Sequence, residues 1–161
     1  MSGSLSPKAQ RVQDALRGLG FSHQVLESPR TTRSAADAAQ AIGCRVEQIA
    51  KSLVFRCRGT DKPVLVIASG PNRVDEKQIG EYRSEPVEMA TPDFVRDRTG
   101  FVIGGVPPVG HQEPLETYID EDLFRYGDIW AAAGTPNAVF RLSPKDLADM
   151  TNGRVVRVTR G

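Results

Sequence analysis

The chain has 161 residues, 39% of them hydrophobic and 25% charged, which suits one domain with a core large enough to fold without a disulfide or metal staple. Twenty-one basic against twenty acidic side chains leave a formal charge of +1, which excludes a polybasic binder held by bulk charge but not a local basic patch. No apolar run is long enough to span a bilayer, the N-terminus lacks the basic and apolar regions of a signal peptide, and Cys44 and Cys57 match neither a CxxC pair nor a zinc-ligand spacing. A soluble, cytoplasmic, single-domain protein with reduced thiols and no cofactor is expected.

In chain order, Ser6-Pro7 supplies a hydroxyl N-cap and a proline at the first helical position. Ala9, Val12, Ala15, Leu16 and Leu19 give that helix its apolar stripe, and Gly18 and Gly20 end it. A short strand is predicted around Ser22–Leu26, then an alanine-rich helix over Ala35–Ile42, capped by Ser34 and stopped by Gly43. A helical turn near Val46–Ala50 leads into the alternating strand Lys51–Arg58, and the Gly59–Pro63 turn pairs it with the continuous apolar strand Val64–Ala68. Asp75–Tyr82 reads as a helix, Pro86–Met89 as a strand, and Thr91-Pro92 as the start of another helix. Phe101–Ile103 is predicted as a strand running into Gly104-Gly-Val-Pro-Pro-Val-Gly-His111. Further strands are expected at Thr117–Ile119, Ile129–Ala133, Val139–Leu142 and Val155–Val158, with a last helix from Ser143-Pro144. Hairpin-paired strands with helices between them predict an α+β fold with a mixed, largely antiparallel, partly barrel-like sheet.

The Gly104–His111 stretch carries the most chemistry. Gly104 and Gly105 permit positive φ and a close approach to the backbone, while Pro107 and Pro108 stiffen the exit. Such a loop either holds N–H groups toward a carbonyl or oxyanion, or is only a rigid turn. Lys51, flanked by apolar residues at a strand start, either meets a phosphate or ester carbonyl in a cleft or simply solvates a face. A charged hydrogen bond of that kind is worth roughly 1.5–3 kcal/mol. Ala133-Gly134-Thr135-Pro136-Asn137 is a turn between two apolar strands that is able to line a pocket. His111 reads as closing its loop rather than as a general base, since neither it nor His23 has a triad partner. The cysteines read as packing residues.

The order of Ile49-Ala-Lys-Ser-Leu-Val-Phe55, Gly104-Gly-Val-Pro-Pro-Val-Gly-His111 and the glycine turn at Ala133–Asn137 resembles the YbaK/ProX family, stand-alone relatives of the editing insertion domain of bacterial prolyl-tRNA synthetase. The resemblance covers nearly the whole chain. It implies an aminoacyl-tRNA deacylase that hydrolyses a mischarged ester in trans, with the family lysine at Lys51 and the GxxxP motif at Gly104–Pro108. Some relatives bear histidine or another polar group at the last glycine turn, where this chain has Thr135-Pro136-Asn137. The implied catalytic set is Lys51, Gly104, Gly105 and Pro108. Strand register suggests Val54, Ile67, Val102 and Ala133, with Gly134 and Thr135, for a small apolar substrate pocket. Arg45, Arg73 and Lys77 are the candidates for contact with the tRNA acceptor end. Prolyl-tRNA synthetase is a further expected partner; membrane and DNA are not. Two other readings stay open: a non-catalytic module that binds aminoacyl-tRNA or a synthetase, and a cysteine-dependent hydrolase.

Overall fold

The computed structural model describes residues 4–28 and 34–159. Its helices begin where hydroxyl and acidic caps meet proline or the first turn. Helix α1 spans Pro7–Gly18, α2 Ala35–Ile42, α3 Glu76–Arg83, α4 Pro92–Thr99 and α5 Pro144–Thr151. Ser34 accepts a hydrogen bond from the Asp37 N–H, Asp75 from Lys77, Thr91 from Phe94 and Ser143 from Asp146. Each such cap stabilises its helix by about 1 kcal/mol. Ser6 differs. It sits at the start of α1 without capping it, because its hydroxyl donates to Glu27 at 2.7 Å. Leu19 is the C-cap residue and is half exposed, so the apolar stripe ends at Leu16.

Among the described residues eight strands form one sheet: β1 Leu26–Glu27, β2 Ile49–Cys57, β3 Pro63–Ser69, β4 Val87–Met89, β5 Glu116–Asp120, β6 Ile129–Ala132, β7 Ala138–Leu142 and β8 Arg154–Val156. The spatial order is β1-β7-β6-β2-β3-β5-β8, with β4 paired to β2 off this path. Pairings β1·β7, β2·β3, β2·β4 and β6·β7 are antiparallel; β2·β6, β3·β5 and β5·β8 are parallel. The expected mixed α+β sheet is present, but it is open rather than barrel-like, running from β1 to β8 without closing.

Strand β3 is buried along its whole length, as its unbroken apolar run requires. Leu65 and Ile67 join a core with Val12 and Leu16 of α1, Val95 of α4 and Leu147 of α5. Val64 and Val66 face the other way, into a second core with Ile79 of α3 and Phe55. Burying each such side chain stabilises the fold by about 1.5–3 kcal/mol.

Two strand expectations need correction. Phe101–Ile103 is not a strand: Gly100 and Gly104, both at positive φ, bracket a turn closed by the Gly105 N–H on the Val102 carbonyl at 3.0 Å. The early strand shrinks to Leu26–Glu27 because the Gln13 side chain captures its main chain, donating to the His23 carbonyl and accepting from the Val25 N–H. No helix among the described residues is long and apolar enough to cross a membrane.

Candidate active site

Strand β2 is paired along one edge and interrupted along the other. Its ladder to β3 is continuous from Ala50 to Arg56. On the opposite edge, pairing to β6 stops at Ala50 and pairing to β4 resumes at Phe55. The interval between them opens into a cleft of about 200 Å³, bounded by β2, α2, β6 and the turn at Ile103–Gly104. The break in the ladder is what makes the cleft.

Lys51 lies in that interval and borders the cleft. It is half-buried, and among the described residues its ammonium has no hydrogen-bond or ion-pair partner. Burial pushes its ammonium below the ordinary lysine range; the Asp120 carboxylate opposes this and the Arg73 guanidinium adds to it. Asp120 is itself buried and fixed, accepting from the Ser69 N–H at 3.0 Å, the Asn72 amide at 2.8 Å and the Asp122 N–H at 2.9 Å. A cation with no side-chain partner among the described residues, beside a cleft, is free to meet a ligand's anion or carbonyl.

The two glycines of the loop part company. Gly104 has φ +92° and borders the cleft, and a Cβ built on it would approach only Pro136 Cγ, at 3.9 Å. Gly105 is buried, and a Cβ there would lie 2.8 Å from Thr135 Cα and 3.0 Å from the Gly134 carbonyl. The Gly134 N–H donates to the Gly105 carbonyl at 2.9 Å. The close approach at Gly105 is therefore made by the β6–β7 turn of the same chain, not by a substrate. Gly134 is equally confined: at φ +102°, its Cβ position is 2.6 Å from the Lys8 carbonyl of α1.

Pro107 and Pro108 are buried behind the loop. His111 donates from Nε2 to the Pro107 carbonyl at 2.6 Å and packs edge-on against Phe101. Burial lowers its pKa, the Pro107 bond raises it, and Arg11 lowers it further. His111 closes the loop.

Several residues expected to form the pocket lie elsewhere. Ile67 and Ala133 are core residues, both 0% exposed, and Val54, 4% exposed, reaches only a small void beside the cleft. Val102 is half exposed outside the cleft. Thr135 spends its hydroxyl on Glu27 and Asn137 rather than on the cleft. The walls come instead from Ile103, Trp130, Pro136 and Ala35 and Ala38 of α2. Alternation along Ile129-Trp-Ala131 sets Trp130 off the core phase, a signal that was available in the sequence.

Of the three basic candidates, Arg73 alone shares a groove with Lys51, and it makes no ion pair among the described residues. Arg45 is engaged by Glu47 at 3.1 Å and by the Tyr126 ring at 5.8 Å. Lys77 borders a separate depression with Arg58 and Glu81. Cys57 is buried, Cys44 is half-buried with its thiol pKa pushed up by burial, and neither borders the cleft. That removes the geometric basis for a cysteine-dependent hydrolase.

Comparison with known proteins bears on this cleft. The sequence pattern of the "Aminoacyl-tRNA editing domain" matches residues 29–150. The chain is 33% identical over 133 residues to "Uncharacterized protein YwhH" of Bacillus subtilis, covering 83% of this chain and 84% of that one. It is 28% identical over 127 residues to the Enterococcus faecalis protein named "Putative Cys-tRNA(Pro)/Cys-tRNA(Cys) deacylase EbsC", covering 78% and 77% of the two chains. A solved structure described as a "putative trans-editing enzyme for prolyl tRNA synthetase" superposes with a TM-score of 0.93 at 49% identity, covering 98% of this chain and 100% of the other.

Proposed function

Because the chain belongs to the aminoacyl-tRNA editing domain family, we propose that it is a trans-editing deacylase hydrolysing the ester of a small amino acid mischarged onto tRNA, proline tRNA foremost. The observation that carries this reading is one cleft bordered by both Lys51, whose ammonium has no partner among the described residues, and Gly104, without a side chain to obstruct approach. An aminoacyl ester is already activated, so the site needs positioning and charge stabilisation more than a covalent nucleophile. Lys51 holds the terminal nucleotide or polarises the ester carbonyl. Gly104 lets the aminoacyl group lie against the main chain. Water attacks with help from the free ribose hydroxyl of the terminal adenosine, so no protein general base takes part. Arg73, in the groove shared with Lys51, meets a phosphate of the acceptor end. The protein works in the cytoplasm, with aminoacyl-tRNA and prolyl-tRNA synthetase as partners.

The test is release of free amino acid from mischarged tRNA by the parent protein and by Lys51→Ala. The variant should fold normally and lose at least about tenfold in rate, equivalent to about 1.4 kcal/mol in the barrier. Binding of the charged tRNA with no turnover would instead identify a non-catalytic module. Full activity in a folded Lys51→Ala protein would remove Lys51 from the mechanism.

A further inference from the structure

We propose that Ser52 determines which aminoacyl group the cleft accepts, and that it favours a short side chain ending in a hydroxyl, serine above alanine or cysteine. This rests on the deacylase reading above. Ser52 lies in the interval where the edge of β2 is unpaired. Its Oγ is sealed from solvent and has no hydrogen-bond partner among the described residues. Buried hydroxyls nearly always have one, and leaving the bond unmade is costly. The other buried polar atoms in that condition, His23 Nδ1 and Arg83 Nε, do not border the cleft.

The main chain points the same way. The Arg58 N–H donates to Pro86 and the Val54 carbonyl accepts from Ala90, so even-numbered residues of β2 turn their polar groups toward the β4–β6 edge. Ser52 has that phase, and it faces the break with no strand opposite. One residue therefore brings an unpaired hydroxyl and an unpaired peptide edge to the same place.

Beside it is a void of about 30 Å³ that shares Ser52, Leu53, Ile103 and Val106 with the cleft. The rest of its lining is Val54, Met89, Ala90 and Val95. A void of this size accepts something near the bulk of one water or one or two side-chain atoms. No other lining residue carries a polar side-chain group capable of a strong hydrogen bond. A methyl group placed there leaves the Ser52 hydroxyl unpaired. A hydroxymethyl group meets it once Ser52 turns about χ1 to another staggered well. The thiol of cysteine is bulkier and a weaker hydrogen-bonding group. Sites built to hydrogen-bond a substrate hydroxyl discriminate strongly against analogues that lack it.

The experiment charges proline tRNA with serine, alanine or cysteine and measures kcat/KM for the parent and for Ser52→Ala, with thermal melting alongside. The parent should prefer seryl over alanyl and cysteinyl ester by at least about tenfold. Ser52→Ala should melt no lower than the parent, since it removes a hydroxyl that bonds nothing, and its serine-to-alanine ratio should fall to within about threefold of unity. The proposal is overturned if the parent hydrolyses alanyl or cysteinyl ester as fast as seryl, or if Ser52→Ala keeps the parent's ratio. A Ser52→Ala protein melting well below the parent would also overturn it, by showing that the hydroxyl is already paired. If the parent hydrolyses none of the three esters, it is the deacylase reading itself that fails.

Discussion

On one side of the Gly104–Gly105 peptide, Val102, Ile103 and Gly104 are exposed; on the other, Gly105 through Val109 are buried. Ile103 and Gly104 border the cleft, with Val106 reaching it from beneath, while Gly105 packs against the β6–β7 turn and His111 ties off the end of the loop. Adjacent glycines thus answer to different constraints. Gly104 is glycine because its φ is positive and the space beyond it is a cleft; Gly105 is glycine because another stretch of backbone occupies the place of a side chain. A short motif that looks like one unit is part cleft wall and part the brace that holds the wall still.

Substitutions at these two positions separate the halves most directly. Gly105→Ala should be the most damaging, because its Cβ would meet backbone at 2.8–3.0 Å that has no rotamer to yield. We expect about 3 kcal/mol of lost folding stability by urea denaturation. Gly104→Ala has room for the methyl but places alanine at φ +92°, costing about 1–2 kcal/mol. Its deacylation rate, corrected for folded fraction by circular dichroism, should fall at least about tenfold. If Gly104→Ala turns over like the parent, or Gly105→Ala melts like it, the division of the loop is wrong.

The pH profile sharpens the cleft side. In the proposed mechanism Lys51 acts as a cation, so its contribution is complete below its pKa and lost above it. Burial lowers that pKa from the ordinary 10.5. The rate advantage of the parent over Lys51→Ala should therefore be full near neutrality and disappear on the alkaline side before a free lysine would lose its charge. An advantage that persists beyond pH 10.5 would mean that the charge is not what Lys51 supplies. The smallest effect belongs to Arg73→Ala, which should make the log–log salt dependence of tRNA binding shallower by about 1, from a parent slope of about −2 to −4. Arg45→Ala, whose guanidinium is already engaged by Glu47 and Tyr126, should leave the slope as it is.

Local signals were legible in the sequence. The Ser/Thr-Pro pairs mark three helix starts, and the apolar run of β3 marks a strand covered on both faces. Lys51 and Gly104, more than fifty residues apart in the chain, do border one cleft. What alternation cannot supply is which face of a strand is open. Val54 and Ile67 share the Ser52 phase of β2 and β3, but beyond the small void at Ser52 that side is filled by α1, α4 and α5. Ala133 follows β6 in its core phase, which is equally filled. The contact of Gly105 with Gly134–Thr135 joins two loops almost thirty residues apart, and no periodicity within either loop announces it. The cleft itself comes from a ladder that stops and restarts, a property of three strands together.

The carbonyl of Lys8 against Gly134 sets a lower limit on the unit that can fold. Residues 29–150 carry the editing-domain pattern, yet the turn that braces Gly105 rests on α1, well before that span. Ala9, Val12 and Leu16 are fully buried in the main core, and Glu27 joins the start of α1 to Thr135 through Ser6. At the other end, the Val158 carbonyl accepts the Asp75 N–H at the head of α3. A fragment trimmed to the recognisable span would strip one wall from the core and leave Gly134 without the backbone it is shaped to meet. The boundaries drawn by shared sequence are narrower than those drawn by cooperativity, and domain grafting or truncation in this protein has to respect the wider pair.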